Sequence, residues 1–191
     1  IVFADCDMES TVAGVVRAGF LNQGQICLCG SRILVENSIY EDFRDRLVDA
    51  VEAMRVGDPS DEATDLGALI TRQHLEKVQG YVELAKQEGG TLLTGGTPCM
   101  PKGFEKGNWM APTIIEGLSP DSRCSTEEIF GPVVTLHQFR SEDEAVVIAN
   151  NTRYGLAGSV WTDDLEKGKR ISESIETGMV WVNTWLHRDL R

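Results

Sequence analysis

The chain has 191 residues, 41% of them hydrophobic and 25% charged, which suits one globular domain with its own core. Its net charge of −12 argues against nucleic acid or an anionic membrane as a partner, because both require a basic face. We find no apolar run of about 18 residues and no secretory signal, so neither a membrane span nor export is predicted. The five cysteines are odd in number and irregularly spaced, which favours a reducing compartment over a disulfide framework, and we expect a cytoplasmic protein.

Helices and strands alternate along the predicted chain. Apolar side chains spaced three or four apart predict helices, the first capped by Asp7 or Ser10, at residues 7–21, 39–54, 72–88, 142–151 and 165–175. Short β-branched runs predict strands at residues 33–35, 91–93, 113–115, 133–136, 159–161 and 180–182. Residues 95–107, rich in Gly, Pro and Lys, predict a surface loop. The alternation predicts an α/β fold over residues 1–191, with a mostly parallel sheet and helices on both faces.

The run N-Q-G-Q-I-C at residues 22–27 places a cysteine just after a glycine turn. A cysteine nucleophile must be an exposed thiolate near oxyanion donors, and Gly24 could let the backbone approach a substrate closely. The residue type alone favours the simpler interpretation of Cys27 as a small buried hydrophobe. Cys29 leaves three alternatives: a packed side chain, which is favoured, a redox partner of Cys27, or a ligand of a Cys-x-Cys metal site. No His or further Cys pair stands at ligand spacing, so we predict no metal.

The run E-E-I-F-G-P-V at residues 127–133 combines carboxylates, an aromatic ring and a glycine. One interpretation is a helix start in which Thr126 caps and the acids favour the N-terminus. The other is a ligand pocket.

Together, the F-x-N-Q-G-Q-x-C pattern at residues 20–27 and the run at 127–133 resemble the aldehyde dehydrogenase superfamily. The resemblance extends through nearly the whole chain and implies that Cys27 attacks the aldehyde, with its own N–H helping to hold the oxyanion. It also implies that Glu128 accepts hydrogen bonds from the nicotinamide ribose hydroxyls and that Phe130 packs against the nicotinamide of NAD or NADP.

The tail V-W-V-N-T-W-L-H-R-D-L-R resembles the branch that oxidises muconic semialdehydes, substrates with an aldehyde at one end and a carboxylate at the other. The resemblance implies that Arg188 clamps that carboxylate, with Arg191 as the reserve, and that Trp185 walls the aldehyde channel. A surface ion pair with Asp189 is the alternative for Arg188. His187 departs from the apolar residue expected in this branch, which leaves the substrate open.

The resemblance further implies that the G-x-T-G-S cofactor loop, the general-base glutamate of an E-L-G-G-K segment and the oligomerisation strand belong to parts of a longer, oligomeric parent outside this sequence. The chain alone is then expected to bind the dinucleotide poorly. Two other functions remain open: a non-catalytic domain that keeps only the fold, and a thiol hydrolase that uses Cys27 without a cofactor. The hydrolase needs a nearby His, whereas His74 and His137 are expected to be surface or sheet residues.

Overall fold

The computed structural model describes residues 1–187. Its strands are β1 (Arg32–Glu36), β2 (Thr91–Thr94), β3 (Thr113–Glu116), β4 (Val133–Phe139), β5 (Ala157–Val160) and β6 (Met179–Val182). Its helices are α1 (Met8–Phe20), α2 (Tyr40–Glu52), α3 (Arg72–Gln87), α4 (Arg123–Thr126), α5 (Glu142–Asn150) and α6 (Leu165–Ser174). All the longer predicted elements are present, and the short helix α4 was not predicted.

The predicted helix ends follow their local signals. The carboxylate of Asp7 accepts a hydrogen bond from the Ser10 N–H, so Asp7 rather than Ser10 caps α1. Helix α3 ends before Gly89, which adopts the left-handed conformation with φ of +90°. Strand β5 begins two residues earlier than predicted and ends at Val160 instead of Trp161.

Four strands form one sheet in the order β1-β4-β3-β2. The β1–β4 and β4–β3 pairs are parallel, whereas β2 is antiparallel to β3. A second, parallel pair is formed by β5 and β6. Val2 pairs with both Val35 and Trp161 in parallel, so residues 1–3 connect the two sheets. This arrangement confirms the mostly parallel sheet.

Helices cover both faces of the sheet because its strands alternate their side chains between two cores. Ile33 and Val35 of β1 join the core beneath α1 and α2, while Leu34 between them joins the core beneath α5 and α6. In β3, Ile114 packs on the α1–α2 side and Ile115 on the α3 side. No helix within residues 1–187 is long and apolar enough to cross a membrane.

Candidate active site

A tight turn presents Cys27 at the end of α1, and we call residues 22–29 the cysteine turn. Three successive residues are left-handed there: Asn22, Gln23 and Gly24, with φ of 53°, 56° and 67°. Asn tolerates this conformation because its short amide bonds locally, and here Nδ2 of Asn22 donates to the Gln25 carbonyl at 3.2 Å. The thiol of Cys27 is exposed.

Two hydrogen bonds fix the far side of the cysteine turn. The Cys29 N–H donates to the Ile26 carbonyl at 3.1 Å. The indole N–H of Trp185, a residue only 6% exposed, donates to the Leu28 carbonyl at 2.8 Å. In the part of the chain that the structure describes, the Cys27 N–H donates to no backbone acceptor, so it remains available to a ligand.

Residues 127–131, which we call the acidic-aromatic loop, lie directly against the cysteine turn. A Cβ added to Gly24 would be 2.1 Å from the Gly131 carbonyl oxygen, so the two backbones touch where Gly24 has no side chain. The two motifs are about a hundred residues apart in sequence, and the fold brings them together. The alternative helix start is not what forms: Ser122 caps α4, and Thr126 is its last residue.

The two neighbouring acids of this loop have different surroundings. Glu127 is bound by the Arg123 guanidinium at 2.9 and 3.0 Å and by the Tyr81 hydroxyl at 2.8 Å. These partners lower the pKa of Glu127 to about 2. Glu128 is exposed, and among residues 1–187 its carboxylate has no ion-pair partner. Of the two, Glu128 is therefore the carboxylate available to a ligand.

A cleft of about 300 Å³ lies beside these motifs. Its lining includes Cys27, Glu128, Ser125, Arg32 and Tyr154. Arg32 is largely buried, which lowers its pKa, and its guanidinium donates to two carbonyls in the last turn of α5. Because a helix C-terminus carries partial negative charge, this contact stabilises the buried cation.

Cys29 also lines the cleft but differs chemically from Cys27. Burial raises the pKa of the Cys29 thiol to about 11, whereas Cys27 is exposed. All five cysteines are free thiols, and within residues 1–187 no group of three or more His, Cys, Asp or Glu could hold a metal ion.

The remaining sequence predictions differ in where the structure places them. Phe130 is half-buried with φ of 62°, next to Glu128 in the acidic-aromatic loop, but it is not among the residues that line the cleft. Trp185 is not among the residues that line the cleft; it packs with Ala18 and Leu28 beneath the cysteine turn, which is a supporting position. Arg188 lies outside the described residues.

Sequence reasoning missed the part that α3 plays. His74 was expected at the surface, yet its Nε2 is 2.5 Å from the Phe130 carbonyl oxygen. Lys77 donates to the Glu128 carbonyl at 3.0 Å, and Tyr81 bonds Glu127. The available signal was the spacing of these residues, which puts them along one side of a helix. His137 is the buried sheet residue that was expected, 5% exposed on β4.

The cysteine turn, the acidic-aromatic loop and the cleft beside them lie on a mostly parallel sheet that helices cover on both faces. The aldehyde dehydrogenase family model matches residues 1–191, and the chain belongs to that family. Betaine aldehyde dehydrogenase from Staphylococcus aureus, solved in complex with NAD+, superposes with a TM-score of 0.96 at 37% identity, over 98% of this chain and 37% of that one.

Among curated relatives, the chain is similar to semialdehyde dehydrogenases. It is 46% identical to 2-aminomuconic 6-semialdehyde dehydrogenase of a Pseudomonas species, over 100% of this chain and 39% of that protein. It is 45% identical to 2-hydroxymuconic semialdehyde dehydrogenase of Pseudomonas putida, over 100% of this chain and 40% of that protein. The chain thus spans about two fifths of the length of these relatives.

Proposed function

We propose that this chain is the catalytic domain of an NAD(P)-dependent aldehyde dehydrogenase in which Cys27 is the nucleophile. The observation that carries the proposal is the contact of Gly24 with Gly131, because it joins the two segments that bring an exposed thiol and the Glu128 carboxylate, which has no ion-pair partner among residues 1–187, to one cleft. Family membership supplies the reaction class.

In this mechanism the Cys27 thiolate adds to the aldehyde carbon to give a thiohemiacetal, whose oxyanion accepts a hydrogen bond from the Cys27 N–H. Loss of hydride from that carbon leaves a thioester, and attack by water releases the carboxylic acid and regenerates the thiol. A bound nicotinamide would accept that hydride, and the protein would contribute its position and electrostatics.

The acidic-aromatic loop offers the hydrogen-bond acceptor and the flat ring that would suit a nicotinamide nucleoside. The exposed Glu128 carboxylate, which accepts no hydrogen bond within residues 1–187, can accept hydrogen bonds from two ribose hydroxyls. Phe130 offers a flat apolar ring next to it, packed edge-to-face on His74 with ring centres 6.2 Å apart. Glu127 has no such role, since its oxygens are already bound by Arg123 and Tyr81.

We propose a semialdehyde that carries a carboxylate as the substrate. The similarity to two muconic semialdehyde dehydrogenases supports this class. Arg188 is the proposed carboxylate clamp, with Arg191 in reserve, because a guanidinium matches a carboxylate through two parallel hydrogen bonds. Trp185 then acts on the aldehyde channel indirectly, because its hydrogen bond to the Leu28 carbonyl holds the cysteine turn in place. The free thiols support a cytoplasmic location for the enzyme.

The test is NADH or NADPH formation by the full-length protein with a panel of aldehydes, with and without a distal carboxylate. We expect Cys27→Ser to abolish turnover and Cys99→Ser, in the surface loop, to preserve it. Arg188→Ala should raise the KM of carboxylate-bearing aldehydes and leave the KM of neutral ones unchanged. No reduction of either dinucleotide by the wild-type protein would reject the proposal in favour of a non-catalytic domain.

The thiol hydrolase alternative finds no suitable histidine base among residues 1–187. In the described part of the chain, no histidine lines the cleft with Cys27. Nε2 of His74 is bonded to the Phe130 carbonyl, and His137 is buried with its pKa lowered to about 4. Ester hydrolysis by the isolated chain that disappears in Cys27→Ala would restore this alternative.

A further inference from the structure

Helix α3 contacts the acidic-aromatic loop at four successive positions on one side. Residues 74, 77, 78 and 81 follow the i, i+3, i+4, i+7 spacing of a single helix stripe. Three of them, His74, Lys77 and Tyr81, reach the loop through hydrogen bonds of 2.5, 3.0 and 2.8 Å. The fourth, Val78, lies so close to Gly131 that an added Cβ there would be 2.6 Å from its Cγ2.

The bond from His74 acts where the loop is strained. Phe130 adopts φ of 62°, a conformation that is unfavourable for a bulky residue and persists only when its surroundings fix it. The Phe130 carbonyl can only accept a hydrogen bond, so Nε2 of His74 must carry the proton. The imidazole therefore holds the peptide group that directly follows the strained Phe130.

The contact continues from the loop to the nucleophile. Gly131, which Val78 touches on one side, touches Gly24 of the cysteine turn on the other. A displacement of α3 or of the loop would therefore change the spacing between Cys27 and the residues proposed to hold the nicotinamide.

We infer that His74 is a positioning residue: its hydrogen bond to the Phe130 carbonyl, supported by Lys77 on the Glu128 carbonyl, fixes the acidic-aromatic loop for the dinucleotide. The predicted effect of His74 on dinucleotide binding rests on the proposed function, whereas its role in fixing the acidic-aromatic loop does not. His74 touches neither Cys27 nor the aldehyde in this assignment; it acts through the loop.

The experiment compares His74→Ala, His74→Gln and Gln73→Ala in the full-length protein. Gln can donate to the same carbonyl, and Gln73 is an exposed neighbour on the same helix turn and serves as the control. In His74→Ala we expect the KM for NAD to rise about fivefold, the factor that matches one hydrogen bond of about 1 kcal/mol. The KM for the aldehyde and the alkylation rate of Cys27 should stay unchanged in His74→Ala. In His74→Gln the KM for NAD should return most of the way to the wild-type value.

A second readout separates this inference from the proposed function. Amide hydrogen exchange of residues 127–133 should become about fivefold faster in His74→Ala and stay at the wild-type rate in His74→Gln and Gln73→Ala. Faster exchange without any NADH formation by the wild type would support the loop-positioning role and reject the dehydrogenase. Exchange in His74→Ala equal to that of Gln73→Ala, or a His74→Gln variant as impaired as His74→Ala, would overturn the inference.

Discussion

Replacing Gly24 by alanine should disrupt the junction between the cysteine turn and the acidic-aromatic loop. The new Cβ would lie 2.1 Å from the Gly131 carbonyl oxygen and 2.6 Å from its carbonyl carbon. Both atoms belong to the backbone, so no side-chain rotation relieves the overlap, and overpacking of this kind costs about 1–3 kcal/mol. The left-handed φ of +67° adds about 1–2 kcal/mol for a residue with a Cβ. We expect the free energy of unfolding to fall by about 2–5 kcal/mol in total.

Substitutions at two further glycines separate the cost of the steric overlap from the cost of the left-handed backbone. Gly89 has φ of +90° and nothing within 4 Å of an added Cβ, so Gly89→Ala measures the cost of conformation alone. Gly80 lies inside α3 with open space around it, and Gly80→Ala should stabilise the chain by about 0.5–1 kcal/mol. Asn tolerates the left-handed backbone but, like Ala, introduces a Cβ. Gly24→Asn should therefore lower the free energy of unfolding by most of the amount that Gly24→Ala does.

The assay is urea unfolding of the four variants, together with alkylation of Cys27 under native conditions. A Gly24→Ala variant no less stable than Gly89→Ala would show that the two motifs do not touch as described. An altered Cys27 alkylation rate in Gly24→Ala alone would confirm that the contact also sets the environment of the thiol.

Further predictions concern the thiols, two titrating groups and the buried indole. Timed iodoacetamide labelling should modify Cys27 well before Cys29, whose burial raises its pKa to about 11. Equal labelling rates would contradict the role of Cys27 as an exposed nucleophile. The pKa of Glu127 is lowered to about 2, so its stabilising effect is full above about pH 4.5 and is lost as the pH falls towards 2; the stability gap between wild type and Glu127→Gln should close over that range in acid unfolding. Burial lowers the pKa of His137 to about 4, so stability should fall from about pH 6.5 to 4 as the unfolded imidazole takes up a proton, and His137→Gln should lack that component of the pH profile. Trp185→Phe removes the hydrogen bond to the Leu28 carbonyl and should lower the free energy of unfolding by about 1 kcal/mol. No measurable change in denaturant unfolding would argue against that bond.

The local sequence determined the elements and the identity of the site segments. Periodic apolar side chains define the helices α1, α2, α3, α5 and α6, because a helix that packs on a sheet needs one apolar stripe. Runs of β-branched residues define the strands, because these side chains pack well on the buried surface of a sheet. Asp7 and Gly89 place helix ends through hydrogen bonding and backbone freedom that reach only a few residues along the chain. The motif at 20–27 identifies the cysteine turn without any tertiary information.

Only the tertiary structure decided which side chains meet at the candidate site. The antiparallel pairing of β2 depends on partners distant in sequence, which a local pattern does not specify. Residue type alone does not separate the two acids, and it is Arg123 and Tyr81 that bind Glu127 while the Glu128 carboxylate has no ion-pair partner among residues 1–187. His74 became a candidate positioning residue because α3 crosses the acidic-aromatic loop, and Trp185 became a support of the cysteine turn because it packs on Ala18 and Leu28. Apart from the local Arg123–Glu127 pair, four positions apart, these contacts join residues tens to more than a hundred positions apart, so their geometry follows from packing of the whole domain rather than from any single segment.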